Sequence, residues 1–210
     1  QPQPAYQPNY YPPAASAPAD SGLSKLVRIL VIVAVLIAVA VIAIPNLLMS
    51  KKSEFTNLTW HEYESPDKKF SVSLPVAPKI IHRTVPTPFG NAEAQAIEAA
   101  VSTEGGCMLV AADYPAMNPK MSEEAIYEMA IKGATRTNRT LGFGSQKTIM
   151  LFGHKGVEVQ LLSKDRERSF VGSARIFWVS PRLYVMATGG PDTAEFNAVH
   201  KRCLDSFRIS

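Results

Sequence analysis

The chain has few of the residues that usually mark an active site or a disulfide scaffold. Its 210 residues include only 2 cysteines and 4 histidines, and no CxxC pair occurs. The sequence also lacks a GxSxG elbow, a phosphate-binding loop ending in GK[ST], and histidines at metal-ligand spacing. We therefore expect no catalytic residues, no metal site and no cofactor, and we interpret the protein as not being an enzyme.

The chain also has no large excess of charge of either sign. The formal net charge is +4, and no basic stripe interleaved with aromatic residues stands out. Nucleic-acid binding relies on such a stripe, because phosphates are recognised by clustered Lys and Arg side chains. We therefore expect no nucleic-acid partner.

The two cysteines leave two interpretations open. Cys203 belongs to an apolar stripe typical of the buried face of a helix, formed by Phe196, Val199, Cys203 and Phe207. A buried free thiol fits this position, since free cysteine is among the most buried residue types. A disulfide between Cys107 and Cys203 is the alternative if the domain lies outside the cytoplasm.

Apolar residues are abundant in one place, the unbroken run from Ile29 to Met49, which contains no charged residue. About 20 apolar residues at a rise of 1.5 Å cross a hydrocarbon core roughly 30 Å thick. The run predicts a single transmembrane helix, in which Ala34 and Ala38 offer small surfaces for packing against other helices. We therefore expect a single-pass membrane protein that contacts the lipid bilayer.

The basic residues that flank the run do not decide its orientation. Lys25 and Arg28 precede the run and Lys51 and Lys52 follow it, so the positive-inside rule gives a tie. We expect the bacterial inner (cytoplasmic) membrane, with the N-terminal tail in the cytoplasm and the C-terminal domain in the periplasm.

The chain divides into four predicted segments. Residues 1–23 form a Pro- and Tyr-rich tail, 24–50 the transmembrane helix, 51–59 a linker and 60–210 a single domain. The composition of the tail predicts an extended coil that cannot bury a core of its own. Rigid aromatic side chains on such a backbone suit a partner surface, so we expect contacts from Tyr6, Tyr10 and Tyr11.

The domain combines the periodicities of strands and helices. Lys147–Phe152 and Val157–Leu162 predict a hairpin with its turn at Gly153–Gly156, and in the second run Val157, Val159 and Leu161 alternate with Glu158 and Gln160. An internal helix and a C-terminal helix over about Thr193–Ser206 follow from their apolar stripes. The predicted fold class is α+β: a single transmembrane helix followed by an antiparallel-sheet α/β/α sandwich.

Framework motifs recur through the same domain. It opens with Y-x-S-P-D-x-x-F-S-V-x-L-P from Tyr63 to Pro75, has a DYP strand end at Asp113–Pro115, and finishes with L-D-S-F-R-I at Leu204–Ile209. In these motifs and in its order of elements, the domain resembles the PsbP-like fold, named after an extrinsic subunit of photosystem II. The resemblance implies an α+β domain that acts as a binding and assembly module on a larger complex.

These observations predict a non-catalytic accessory or structural subunit of a larger bacterial membrane protein complex. The helix, the tail and the extramembrane domain are each expected to contact other subunits. By fold analogy, the resemblance implies a photosynthetic reaction-centre or electron-transport complex.

Two alternatives remain open. One is a stand-alone envelope protein whose domain binds a small ligand or an envelope partner, which an apolar pocket between the C-terminal helix and the sheet would support. The other is a pilin-like membrane protein, because AIPNLL at Ala43–Leu48 resembles the end of the N-terminal helix of type IV pilins. Arg28 stands where pilins carry a glutamate, which argues against pilin assembly.

Overall fold

The structure is a computed structural model that describes residues 55–87, 90–103, 105–114, 121–137, 141–163 and 169–210. Within these ranges the backbone forms ten strands and two helices. The strands are β1 (His61–Glu64), β2 (Phe70–Leu74), β3 (Lys79–Thr87), β4 (Gly90–Ala100), β5 (Gly106–Asp113), β6 (Leu141–Leu151), β7 (His154–Ser163), β8 (Phe170–Val179), β9 (Arg182–Pro191) and β10 (Arg208–Ile209). The helices are α1 (Glu123–Thr137) and α2 (Ala194–Ser206).

Seven of these strands form one antiparallel sheet in the order β3-β4-β5-β9-β8-β7-β6. The long-range pairing is between β5 and β9, and it sets Asp113 opposite Arg182. The other three strands form a second antiparallel sheet, in which β2 lies between β1 and β10. Among the described residues, strands β3 and β6 are therefore the two edges of the large sheet.

Both faces of the large sheet are covered by apolar side chains. One face packs against α1, and its buried cluster includes Val110, Ile126, Ala130, Ile176 and Val185. The opposite face packs against both α2 and the second sheet, and its buried cluster includes Phe70, Val72, Leu74, Leu109, Met186, Phe196 and Leu204. The alternation of side chains along each strand is what allows one sheet to hold two cores.

The central strand β5 shows this arrangement most clearly. Every residue from Cys107 to Ala112 is buried, because Met108 and Val110 face the α1 side while Leu109 and Ala111 face the α2 side. A strand buried on both faces reads as a continuous apolar run rather than as an alternating one.

Helix α2 is fixed at its start by a cap and a close contact. The Thr193 hydroxyl oxygen accepts a hydrogen bond from the Phe196 backbone N–H at 3.2 Å, which satisfies one of the free amides of the first turn. The Phe196 ring then lies directly on Gly190, where an added Cβ would come within 2.7 Å of the ring. Glycine is therefore required at this position for α2 to approach the sheet.

A disulfide between Cys107 and Cys203 joins β5 to α2. Both residues belong to the buried cluster on the α2 face. Of the two interpretations that the sequence leaves open for these cysteines, the structure contains the bridge.

The predicted architecture, a single transmembrane helix followed by an α/β/α sandwich, is wrong. The described residues are mostly antiparallel sheet, 58%, with two helices, and neither helix is long and apolar enough to cross a membrane. The layer opposite α1 is shared between α2 and the second sheet, because β2 and β10 supply apolar side chains that a helix layer would otherwise have to provide. The run Ile29–Met49 lies outside the described residues.

The predicted location is contradicted as well. A single pass through the bacterial inner membrane, with a cytoplasmic tail and a periplasmic domain, needs a helix that spans the bilayer, and no helix in the described ranges does so. The predicted segments 1–23 and 24–50 lie outside these ranges. The described residues begin within the predicted linker 51–59, where Phe55 and Leu58 pack against the α2-side core.

Replacing Cys203 with Ala is expected to lower the free energy of unfolding by about 3–5 kcal/mol, because the unfolded chain regains a long flexible loop. The bridge spans a sequence separation of 96 residues. Denaturant titration without reductant measures the effect, and the double variant Cys107→Ala/Cys203→Ala serves as the control. Identical unfolding midpoints for the wild-type chain with and without reductant would contradict the prediction.

Candidate functional site

A strained residue forms the turn between β6 and β7. Leu151 pairs with His154, so Phe152 and Gly153 alone connect the two strands. Both have a positive φ, 49° for Phe152 and 83° for Gly153, which is the conformation of a type I′ turn. Asn or Asp is favoured at the first of these positions, because a bulky side chain there is strained.

The side chains at this turn are apolar and exposed. Phe152 is 54% exposed and Met150 is 66% exposed. The Arg208 guanidinium carbon lies 4.8 Å from the centre of the Phe152 ring, so a cation covers part of the ring. We call Met150, Phe152, Gly153 and Arg208 the hairpin tip.

The base of the same hairpin is held in place by Arg175 on β8. Its Nε donates to Glu158 on β7 at 2.7 Å, and its Nη1 donates to the Leu204 carbonyl oxygen of α2 at 2.7 Å. Lys147 on β6 lies 2.8 Å from the other oxygen of Glu158. Burial by itself raises the pKa of Glu158, but the hydrogen bonds from Lys147 and Arg175 outweigh it and lower that pKa. The hairpin tip therefore stands on a base that is bonded to α2 and β8.

A cleft of about 250 Å³, lined by several charged side chains, lies between the β1–β2 turn and the large sheet. Arg182 binds both oxygens of Asp113 at 2.6 and 2.7 Å, and it binds Asp67 at 2.6 Å. The hydrogen bonds to Asp113, followed by the one to Asp67, raise the pKa of Arg182 against the effect of burial. Arg182 on β9 thus forms ion pairs with Asp113 on β5 and with Asp67 in the β1–β2 turn, and these ion pairs hold the turn against the two strands.

A second cleft, of about 490 Å³, opens beside α2 where β7 and β8 separate. The His200 Nε2 lies 3.4 Å from the Ser173 hydroxyl, and its Nδ1 is buried without a hydrogen-bond partner among the described residues. Burial lowers the pKa of His200. The lining is mixed, with polar residues such as Ser145, Gln160 and Asp192 beside apolar ones such as Phe170, which differs from the apolar pocket expected of a small-ligand protein.

The contact between α2 and the sheet is filled by side chains. Phe196, Val199, Cys203 and Leu204 are all buried there. Along the outer side of α2, a groove of about 410 Å³ runs past Trp60 and Arg202, and the Arg202 guanidinium carbon lies 3.9 Å from the centre of the Trp60 ring. That aromatic face therefore already has a cation of this chain on it.

The predicted contact residues Tyr6, Tyr10, Tyr11, Ala34 and Ala38 lie outside the described residues. Of the other predicted site residues, Cys107 and Cys203 are brought together in the disulfide. Within the described ranges, no group of three or more His, Cys, Asp or Glu side chains could hold a metal ion.

The predicted position of the β6–β7 turn, Gly153–Gly156, is wrong. The turn is Phe152–Gly153, and the strand β7 already begins at His154. The signal in the sequence for the true turn is Gly153 at the second turn position, and Phe152 at the first position hides it because Asn or Asp is expected there.

Asp67 is expected to make the stability of the domain depend on pH between about 4 and 2. Burial by itself raises the pKa of Asp67, but hydrogen bonds from Ser65 and Arg182 outweigh it and lower that pKa to about 2. Because the folded-state pKa is depressed, the stabilisation is present above the unfolded pKa of about 4 and is lost as the pH falls through about 2.

The variant Asp67→Asn isolates this contribution. The wild-type chain should be more stable than the variant by about 1 kcal/mol at about pH 6, after allowance for solvent screening of a partly exposed pair. The difference in free energy of unfolding should shrink towards zero at about pH 2, as measured by urea titration. A difference that stays constant over this pH range would show that the ion pair with Arg182 does not hold the turn.

Comparison with known proteins gives the fold. No protein-family model and no curated protein sequence matches the chain. The fold is similar to the solution structure of cyanobacterial PsbP from Synechocystis sp. PCC 6803, with a TM-score of 0.50 and 9% identity over 78% of this chain and 99% of that chain.

Two further solved structures are similar at lower TM-scores. A protein of unknown function from Pseudomonas aeruginosa has a TM-score of 0.35 and 11% identity, over 66% of this chain and 87% of its own. A protein from Bacteroides thetaiotaomicron has a TM-score of 0.30 and 9% identity, over 71% of this chain and 48% of its own. The likeness to cyanobacterial PsbP shows the fold alone, and at that level the predicted resemblance is confirmed: the domain has a PsbP-like fold.

Proposed function

We propose that this protein is a non-catalytic accessory subunit that binds a protein partner through the hairpin tip. The observation that carries the proposal is Phe152, which combines a positive φ of 49° with an exposed fraction of 54%. Holding a bulky residue in this conformation costs about 1–3 kcal/mol, and such strain concentrates at functional positions. A turn selected for stability alone would carry Asn or Asp there.

The residue types at the hairpin tip support a protein partner rather than a small molecule. Aromatic residues, Met and Arg are enriched at the centres of protein–protein interfaces, and the tip combines Phe152, Met150 and Arg208. The side chains of the tip are exposed, whereas small molecules are bound in concave sites.

The charged groups elsewhere support the non-catalytic part of the proposal. Around Arg182, and around Arg175 at the base of the β6–β7 hairpin, the carboxylates and guanidinium groups form ion pairs with one another. A general acid or base has to be within hydrogen-bond reach of a substrate, whereas these groups are bound by one another. Fold analogy makes a photosynthetic or electron-transport complex the first assembly to test.

Replacing Phe152 with Asn is expected to separate stability from binding. The free energy of unfolding should rise by about 1 kcal/mol, because relief of the backbone strain (about 1–3 kcal/mol) outweighs removal of the exposed cation–π interaction with Arg208 (about 0.5–1 kcal/mol). Binding to the partner should be abolished, because the variant has no aromatic anchor. Denaturant titration measures the first effect, and affinity purification of the tagged full chain from its native source measures the second.

The matched control is Ile80→Asn, which removes another exposed apolar side chain, 43% exposed, from the opposite edge strand β3. A partner that stays stoichiometric through a second purification with wild type and Ile80→Asn, but not with Phe152→Asn, supports the proposal. Recovery of the same partner with Phe152→Asn, or a chain that purifies alone, would overturn it. A lower stability of Phe152→Asn would show that Phe152 is a packing residue.

A further inference from the structure

We infer that the outer edge of β6, which pairs with β7 alone among the described residues, binds an extended segment of the protein partner, which would add an eighth strand to the large sheet. This inference rests on the proposed function, since the segment belongs to the partner that packs on the hairpin tip. Strand addition uses the unpaired backbone N–H and C=O groups of an edge strand for affinity and the neighbouring side chains for specificity.

The two edges of the large sheet differ in how far they are protected against strand addition. Strand β3 contains Lys79, Arg83 and Pro86, and charged residues and proline are the usual means of blocking an edge. Strand β6 has the sequence LGFGSQKTIML, which has no proline and one charged residue, and its register shift lies between Phe143 and Gln146, at the end away from the hairpin tip. The open edge is therefore the one that leads into the hairpin tip.

The single charge of β6 is directed away from the edge. Lys147 lies opposite Glu158 in the β6–β7 pairing, and its Nζ is 2.8 Å from that carboxylate. The ion pair draws the ammonium group towards β7, although the Lys147 side chain remains 68% exposed. Lys147 thus does not block an incoming strand as an edge lysine usually does.

The register of the hairpin identifies which backbone groups are free. Leu151 and His154 close the two-residue turn, so they form a hydrogen-bonded pair, and bonded and non-bonded pairs alternate from there. The N–H and C=O groups of Thr148 and Met150 therefore point away from β7. The pairing of β6 with β7 is regular from Gln146 to Leu151, and a register shift between Phe143 and Gln146 ends this regular stretch. A partner segment of about six residues matches this length.

A second copy of this chain fits the edge less well than a different protein does. A second copy would pair with β6 antiparallel about a two-fold axis, so the register decides which residue lies beside Phe152. Registers centred on Thr148 or Ile149 set Phe152 beside Gly144 or Gln146, and neither buries the ring. A partner segment with an apolar side chain opposite Met150 can continue over Phe152 and cover both residues.

The test uses the full chain and a short acetylated peptide of alternating Val and Thr as the probe. Thr148→Pro removes an edge N–H that the β6–β7 ladder does not use, and Thr148→Val is the matched control that keeps it. Peptide binding should weaken by at least about tenfold in Thr148→Pro and by less than about twofold in Thr148→Val. A peptide N-methylated at every second residue tests the same point on the unaltered chain and should bind at least about tenfold more weakly.

Amide hydrogen exchange locates the peptide. On binding, the amides of Thr148 and Met150 should become protected, while those of Ile149 and Leu151 are already protected by β7. Equal binding of the methylated and unmethylated peptides, or unprotected Thr148 and Met150 amides, would overturn the inference. Protection of these amides without peptide, accompanied by a dimer in light scattering, would overturn it in favour of a second copy.

The two proposals fail in different ways. Phe152→Asn removes the anchor at the hairpin tip but leaves the β6 backbone free, so the peptide should still protect Thr148 and Met150. Thr148→Pro blocks the edge but leaves Phe152 in place. Peptide binding at β6, together with native-partner binding that Phe152→Asn leaves unchanged, would overturn the proposed function alone. A native partner whose binding requires Phe152 but is unaffected by Thr148→Pro would overturn only the inference about strand addition at β6.

Discussion

The seven-stranded sheet has two apolar faces, and the need to remove both from water shapes the rest of the structure. At about 25 cal/mol per Å² of buried apolar surface, neither face can be left open in a stable domain of this size. Helix α1 covers one face, and α2 shares the other with the small sheet of β1, β2 and β10. The disulfide and the Thr193 cap fix α2, and the ion pair of Arg182 with Asp67 fixes the small sheet.

The covers are centred on β5, β9 and β8, and the exposed fraction of side chains rises towards β6. Residues of β5 are almost all buried, whereas most of β6 is exposed. The end of the sheet at β6 therefore contributes fewer buried side chains to the core than its centre does. A strained residue such as Phe152 is tolerated at its end, because the interior supplies the stability and the network of Arg175 and Glu158 fixes the base.

Local patterns in the sequence predict the elements of this fold better than they predict its contacts. The stripe Phe196, Val199 and Cys203 indicates α2 to within one residue of its observed start, and the motifs of the domain point to the PsbP-like fold. The two-sheet arrangement is not visible in any local pattern, since β10 joins β2 across most of the domain. Likewise Asp67 and Arg182 are 115 residues apart, so their ion pair follows from topology. The hairpin tip is missed because glycine and lysine after Phe152 resemble a longer turn, although the backbone turns one residue earlier.

The disulfide also has a topological consequence. Because α1, β6, β7, β8 and β9 all lie between Cys107 and Cys203 in the chain, the bond closes a covalent ring that contains the whole β6–β7 hairpin. A backbone cut at Gly153 opens this ring without releasing either fragment. The hairpin tip is thus a position where the chain can be nicked or lengthened while both halves stay tethered, and only reduction of the bond sets them free.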